Sequence, residues 1–137
     1  MTNVRQPDIV RRNATGAPIA VVEIKQRIRP GDRAYFLRQL TDYLKASGTA
    51  RYGLLVDQDA IEVFEDSAAG VSPWRLHTVD TLERYDHDIR TRRDFYEGYL
   101  TTLVNAWLDD LAYHFRERDL PEAKQLPSGL LKALRAA

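Results

Sequence analysis

Hydrophobic residues in the first half of the chain fall into short segments separated by turn-forming residues. Residues 8–12 and 18–25 are two such segments, and the turn formers at residues 13–16 lie between them, so together they predict a β-hairpin. The second segment is rich in β-branched residues and is apolar on both faces until its end. We therefore expect it to be an inner strand of a sheet that is covered by helices on both sides.

The next two patterns predict a helix and then a second hairpin. Asp32 is a potential N-cap and Gly48 a potential end of the helix, and between them apolar residues recur at helical spacing: Phe36, Leu37, Leu40 and Leu44. Residues 52–56 and 60–64 predict two strands joined by a turn at residues 57–59. Because apolar and polar residues alternate there, we expect an edge hairpin with one solvated face.

The second half of the chain predicts a short strand at residues 74–79, a long amphipathic helix at residues 91–118 and a last short helix at residues 128–134. The long helix is marked by an apolar stripe: Tyr96, Tyr99, Leu100, Leu103, Val104, Trp107, Leu108, Leu111 and Phe115. This stripe is wider than the contact of a helix with one neighbour. We therefore expect the helix to cover the sheet and also to meet a second copy of the chain in a homodimer.

Length and composition restrict the class of protein. A chain of 137 residues, 44% hydrophobic and 29% charged, is expected to form a single folded domain. The absence of cysteine excludes disulfides, thiolate zinc sites and cysteine nucleophiles. The sequence has neither an apolar run long enough for a bilayer nor the apolar core of a signal peptide, so we expect a cytoplasmic protein with no membrane partner. Twenty basic residues balance twenty acidic ones, so total charge does not indicate a nucleic-acid partner.

Charged residues interrupt the apolar strand at its end and are the candidate chemistry of the chain. Glu23 and Lys25 are two residues apart on a strand and therefore project to the same side. If the first hairpin closes at residues 13–16, Asp8 lies opposite or diagonal to Glu23 on that side. Two carboxylates so close need a proton or a cation between them, and their hard oxygen atoms suit Mg²⁺ or Mn²⁺. The alternative is a structural ion pair between Glu23 and Lys25 at a strand end.

Three motifs in order give the chain a family resemblance. Pro7-Asp8 is followed by the strand that ends in Glu23-Ile24-Lys25, and the next predicted helix carries Gln39 and Tyr43, four residues apart on one helix face. This combination resembles the PD-(D/E)XK nuclease superfamily, in particular the restriction-endonuclease-like domains of the RecB type and of type I restriction motor subunits. The resemblance implies an α/β fold with a small mixed central sheet flanked by helices. It covers residues 7–65, and residues 66–137 then form a C-terminal helical extension of the same domain.

The resemblance also assigns roles to these residues. Asp8 and Glu23 would be metal ligands, helped by the Ile24 carbonyl, and Lys25 would be the catalytic lysine. Gln39 and Tyr43 would steady the site or contact DNA. The function implied is a nuclease that depends on Mg²⁺ or Mn²⁺ and hydrolyses DNA phosphodiesters, as a homodimer or within a larger restriction or repair assembly. The alternative is a non-catalytic DNA-binding or protein-interaction module of the same fold.

The chain departs from the family pattern at its start. Members normally have a helix before the first core strand, often with a further acidic residue, whereas six residues precede Pro7 here. One face of the sheet then needs another cover, since an exposed apolar face is costly. Three explanations are open. The chain is a fragment of a longer protein, a partner subunit covers the face, or the helix at residues 91–118 covers it. In the third case Asp94 or Glu97 is a candidate for the missing carboxylate, although acidic residues also simply favour a first helical turn.

Overall fold

A mixed five-stranded sheet is the centre of the fold. The computed structural model describes residues 6–66, 74–114 and 120–136. The strands are β1 (Ile9–Arg12), β2 (Pro18–Ile24), β3 (Tyr52–Val56), β4 (Ala60–Glu65) and β5 (Trp74–His77). They lie side by side in chain order, with β2 and β3 parallel and every other pair antiparallel. The α/β class, the first hairpin and the inner position of β2 are confirmed.

Within these described residues, four α-helices and three short 3₁₀ segments surround this sheet. The α-helices are α1 (Arg33–Ser47), α2 (Thr78–Leu82), α3 (Glu97–Tyr113) and α4 (Ser128–Arg135). The 3₁₀ segments are Glu83–Tyr85, Ile89–Thr91 and Pro121–Gln125. The predicted end of α1 is confirmed, because Gly48 adopts a left-handed conformation with φ 72° and its N–H bonds to the Leu44 carbonyl. Within the described ranges, no helix is long and apolar enough to cross a membrane.

The two faces of the sheet carry separate hydrophobic clusters. α1 covers one face, where it packs on a smaller cluster made of Val21, Leu40, Leu44, Ala50, Leu55 and Phe64. α3 and α4 cover the other face through a larger cluster that includes Val22, Leu54, Trp107 and Leu130. Because consecutive residues of a strand point to opposite faces, Val21 and Val22 enter different clusters. β2 is therefore apolar on both sides, as its sequence indicates.

The hairpin of β3 and β4 is confirmed, but its expected position at the edge of the sheet is wrong. β3 is buried throughout, and β4 lies between β3 and β5. The alternation of apolar and polar residues predicted a solvated face, but Glu62, the polar residue in the middle of β4, is not solvated. Its side chain is only 12% exposed and forms an ion pair with Arg33 of α1. The predicted strand at residues 74–79 is confirmed as β5 but ends earlier, because α2 begins at Thr78.

The long C-terminal helix begins later than its pattern predicts. α3 starts at Glu97, and Tyr96 before it has an extended backbone and is 56% exposed, so Tyr96 does not belong to the buried stripe. The preceding chain turns instead, because Phe95 inserts into the larger cluster and the Arg92 guanidinium lies over the Tyr99 ring at 3.8 Å. Phe115 and the predicted end of the helix lie outside the described residues.

The width of the α3 stripe is explained in part within the chain. Trp107 is fully buried, and the side chains of Leu103, Leu108 and Leu111 are buried in the same cluster as residues of the sheet and of α4. α3 thus covers the face of the sheet opposite to α1, as in the third of the expected arrangements. The contact with α4 accounts for part of the width of the stripe, and the homodimer stays a prediction.

A glycine in α4 allows the close approach of β3. A Cβ atom at Gly129 would overlap the Tyr52 hydroxyl oxygen and would lie 3.3 Å from the ring carbon Cζ. Replacing a helical glycine by alanine ordinarily stabilises a helix by about 1 kcal/mol. We expect Gly129→Ala to do the opposite and lower the free energy of unfolding by about 1–3 kcal/mol, because the buried ring must move.

The control for this prediction is Gly98→Ala in the first turn of α3. There the added Cβ would meet the Tyr96 ring at 3.5 Å, an ordinary contact, and we expect no loss of stability. Urea denaturation of the two variants and the wild type measures both effects. Equal stabilities for Gly129→Ala and the wild type would show that α4 does not pack on Tyr52 in this way.

Candidate functional site

Strand register brings Asp8 to the end of β2. Ile9 pairs with Val22 and Val10 with Val21, so the residue before β1 falls beside Glu23. Val10 packs on the α1 side of the sheet, and Asp8, two residues earlier, lies on the same side. The predicted neighbourhood of Asp8 and Glu23 on one face is therefore present.

A hydrogen bond fixes Asp8 against the backbone of β2. Its Oδ2 atom accepts the N–H of Ile24 at 2.7 Å, and the residue is otherwise exposed to solvent. The N–H and carbonyl of one strand residue point toward the same neighbouring strand. The Ile24 carbonyl is therefore directed toward the β1 edge of the sheet, where Asp8 lies.

Glu23 and Lys25 form a buried ion pair on the α1 face. The Lys25 Nζ atom lies 3.1 Å from Glu23 Oε1, and the two residues are 9% and 4% exposed. The Lys25 ammonium also lies 4.9 Å from the centroid of the Phe36 ring in α1. The backbone N–H of Lys25 donates to the Val56 carbonyl at 2.9 Å. A desolvated ion pair costs several kcal/mol per ion unless its geometry compensates. Both charges are thus held in a site from which water is largely excluded.

α1 places the remaining predicted residues over the same face. Gln39 Nε2 donates to the Tyr35 hydroxyl at 2.9 Å, and Gln39 Oε1 is buried and accepts no hydrogen bond from the described part of the chain. A buried carbonyl oxygen left unsatisfied costs about 1–3 kcal/mol and is typical of a functional site or a water position. Tyr43 is half-buried against the smaller cluster. Its surroundings are mainly apolar, which fits a role in packing α1 onto the sheet.

The two candidates for an additional carboxylate lie elsewhere. Asp94 precedes α3 and Glu97 begins it, and both are exposed. α3 covers the face opposite to α1, whereas Glu23 and Lys25 face α1. The substitution of either residue for the missing carboxylate is therefore wrong.

A second charged pair in the same cross-strand row was not predicted. Glu23 pairs with Leu55, Leu55 with Glu62 and Glu62 with Arg75, all at one level of the sheet. Glu62 accepts hydrogen bonds from Arg33, at 2.5 Å from Nη2 and 3.4 Å from Nε. Beside this pair is a cavity of ≈ 260 Å³, lined in part by Leu55, Asp57 and Arg75. The only signal in the sequence is the acidic residue Glu62 in the middle of an otherwise apolar part of β4, which becomes informative once the strand order is known.

The donor set fits a hard divalent cation. Asp8 and Glu23 offer carboxylate oxygens, and the Ile24 carbonyl is directed to the same side. Within residues 6–66, 74–114 and 120–136, no group of three or more His, Cys, Asp or Glu side chains is arranged to bind a metal. A cation here would therefore keep several water ligands, which is the usual state of Mg²⁺ in proteins. The unsatisfied Gln39 Oε1 is an acceptor for water near this side of α1.

The site combines the desolvated ammonium of Lys25 with the carboxylate oxygens of Asp8 and Glu23. Such an arrangement can stabilise negative charge that develops on an oxygen atom of a substrate. Comparison of the chain with protein-family models, curated proteins and solved structures finds no match.

Proposed function

We propose that the chain is a Mg²⁺- or Mn²⁺-dependent nuclease with a restriction-endonuclease-like core, which hydrolyses DNA phosphodiesters. The observation that supports this most strongly is the burial of Glu23 and Lys25 beside the exposed carboxylate of Asp8. A surface ion pair at a strand end contributes little to stability. Burial of both charges costs free energy, and such a cost is typical of a functional site. Action in the cytoplasm, within a restriction or repair assembly, belongs to the same proposal.

Each residue has a definite task in this proposal. Asp8, Glu23 and the Ile24 carbonyl hold the cation, which when bound polarises the phosphate and lowers the pKa of a water molecule. Lys25 stabilises the negative charge that grows on the phosphate oxygen atoms and orients the attacking water. Phe36 limits the access of bulk water to the ammonium, which strengthens that interaction.

The alternative is a non-catalytic DNA-binding or protein-interaction module. One observation favours it, because Lys25 balances the charge of Glu23 at 3.1 Å. In that case the pair only stabilises the fold. The two functions differ in whether a divalent cation binds and whether DNA is cut.

We expect Mg²⁺ or Mn²⁺ to raise the melting temperature of the wild-type protein by several degrees at saturating concentration. Asp8→Asn and Glu23→Gln should abolish this shift, because each removes a charged oxygen ligand while keeping the side-chain size. Asp42→Asn, an exposed acidic residue of α1, is the matched control and should keep the full shift. An equal shift in all four proteins, measured by scanning calorimetry, would exclude Asp8 and Glu23 as the metal site.

Cleavage assays then separate the two functions. The wild-type protein is incubated with Mg²⁺ or Mn²⁺ and with supercoiled, linear and single-stranded DNA, with RNA as a comparison. Cleavage that disappears in Glu23→Gln supports the nuclease. Metal binding through Asp8 and Glu23 without cleavage of any substrate would instead support the non-catalytic module.

A further inference from the structure

An exposed tyrosine lies next to the candidate site. Within the described ranges, three large hydrophobic residues are more than half exposed: Tyr35 at 57%, Tyr96 at 56% and Tyr113 at 62%. Tyr96 and Tyr113 flank α3, on the opposite face of the sheet from Glu23 and Lys25. Tyr35 alone of these three belongs to α1, the helix that covers the candidate site.

Contacts at both ends of the Tyr35 side chain hold its ring in place. The ring meets Phe36 edge to face, with 5.5 Å between centroids and an interplanar angle of 67°. Its hydroxyl accepts a hydrogen bond from Gln39 at 2.9 Å. Phe36 in turn lies under the Lys25 ammonium. An exposed aromatic ring is thus connected to the proposed catalytic lysine through a single intervening side chain.

Helix geometry places Tyr35 on the open side of the site. Arg33 contacts Glu62 of β4, so that flank of α1 is turned toward β4. Tyr35 and Gln39 are four residues apart and share the other flank, beyond Phe36 and Lys25. Asp8, before the edge strand β1, is on this same side of β2. A strand of nucleic acid that entered between α1 and Asp8 would therefore meet the Tyr35 ring.

We propose that Tyr35 stacks on an unpaired base next to the phosphate that the site attacks, so that the substrate class is single-stranded or locally unpaired nucleic acid. This inference rests on the proposed nuclease function. A base inside a duplex has both faces covered by its neighbours, whereas an unpaired base can stack on a protein ring. The net charge of the chain is zero, so total charge provides no general attraction to nucleic acid. Stacking supplies an attraction that does not depend on charge.

Binding of two fluorescent probes tests this inference. The probes are a single-stranded oligothymidylate and a blunt-ended duplex annealed from two complementary strands, each measured by anisotropy with Ca²⁺ in place of Mg²⁺ to limit cleavage. We expect Tyr35→Ala to weaken oligothymidylate binding by about 10- to 100-fold and to leave duplex binding unchanged. Tyr35→Phe keeps the ring and should retain most of the affinity. Tyr96→Ala, an equally exposed tyrosine on the other face, is the control and should bind as the wild type does.

Several outcomes would overturn the stacking role. These are unchanged oligothymidylate binding in Tyr35→Ala, an equal loss in Tyr96→Ala, an equal loss of duplex binding, or no binding of oligothymidylate by the wild type. Melting curves of each variant show whether a loss reflects unfolding, and Tyr35→Phe decides the matter if Tyr35→Ala is unstable.

Cleavage by the same variants keeps this inference separate from the proposed function. If the wild type cuts DNA and Tyr35→Ala cuts single strands equally well, the stacking role is wrong and the nuclease function stands. If binding of single strands depends on Tyr35 but no DNA or RNA is cut with Mg²⁺ or Mn²⁺, the stacking role stands and the nuclease function is wrong.

Discussion

Replacement of Glu122 by alanine is expected to lower the free energy of unfolding by about 2–4 kcal/mol, because it leaves the buried Trp107 N–H without an acceptor and the partly buried Arg84 without its carboxylate. Glu122 is 6% exposed and lies in the 3₁₀ segment Pro121–Gln125, which we call the C-terminal segment. It is the centre of a hydrogen-bond network that joins this segment to α3. Its Oε1 accepts the Trp107 Nε1–H at 2.7 Å, and Arg84 Nη2 lies 2.9 and 2.8 Å from its two carboxylate oxygens. Alanine would leave the Trp107 donor unsatisfied in the interior and would remove the counter-charge of the partly exposed Arg84.

Two further variants divide this loss into its parts. Glu122→Gln keeps an oxygen acceptor but removes the charge that balances Arg84, so we expect a smaller but clear destabilisation. Glu97→Ala, at the exposed start of α3, is the control and should lie within about 0.5 kcal/mol of the wild type. Urea denaturation followed by tryptophan fluorescence measures all three. A Glu122→Ala protein as stable as the wild type would show that the network does not hold the C-terminal segment in place.

A second hydrogen bond strengthens the same region. The Tyr85 hydroxyl donates to Asp110 of α3 at 2.6 Å. Burial, together with this hydrogen bond to a carboxylate, raises the pKa of the Tyr85 hydroxyl. The group therefore remains a neutral donor across the physiological pH range, and the contact between the 3₁₀ segment and α3 is insensitive to pH there.

Local patterns in the sequence were sufficient where neighbouring segments pair with each other. The first hairpin, α1 and its end at Gly48 depend on contacts within about thirty residues, and their turn and cap signals agree with their periodicity. The start of α3 was predicted wrongly because helical spacing continues through Tyr96 although the backbone there is extended. The burial of Glu62 was not predicted either, because it depends on an ion pair with Arg33 of α1, which is distant in the sequence.

The candidate site was predictable to the extent that strand geometry determines it. Glu23 and Lys25 had to share a face, and the hairpin register then placed Asp8 beside them. The hydrogen bond from Gln39 to Tyr35 and the position of Phe36 under Lys25 were not predicted. They depend on how α1 is rotated over the sheet, which the apolar stripe of a helix determines only approximately.

Under the proposed nuclease function, substitution of Lys25 by alanine is expected to reduce DNA cleavage by about 10²- to 10³-fold, because it removes a charge that would act in the transition state. The structure adds a second expectation for the protein without metal. Loss of the ammonium leaves Glu23 buried without its 3.1 Å partner, so the stability should fall by about 3–5 kcal/mol. A divalent cation at Asp8 and Glu23 would compensate part of this loss. Added Mg²⁺ should therefore stabilise Lys25→Ala more than it stabilises the wild type.

This last effect distinguishes a metal-dependent site from a purely structural ion pair. If the pair only stabilises the fold, Lys25→Ala is destabilised to the same extent with and without Mg²⁺, because no cation takes the place of the ammonium. Lys45→Ala, at the exposed end of α1, is the control and should change neither stability nor cleavage. Melting temperatures over a range of Mg²⁺ concentrations, with cleavage rates for the same proteins, measure both effects. Undiminished cleavage by folded Lys25→Ala would remove the lysine from the mechanism, since a desolvated charge at the reacting phosphate cannot be lost without slowing the reaction.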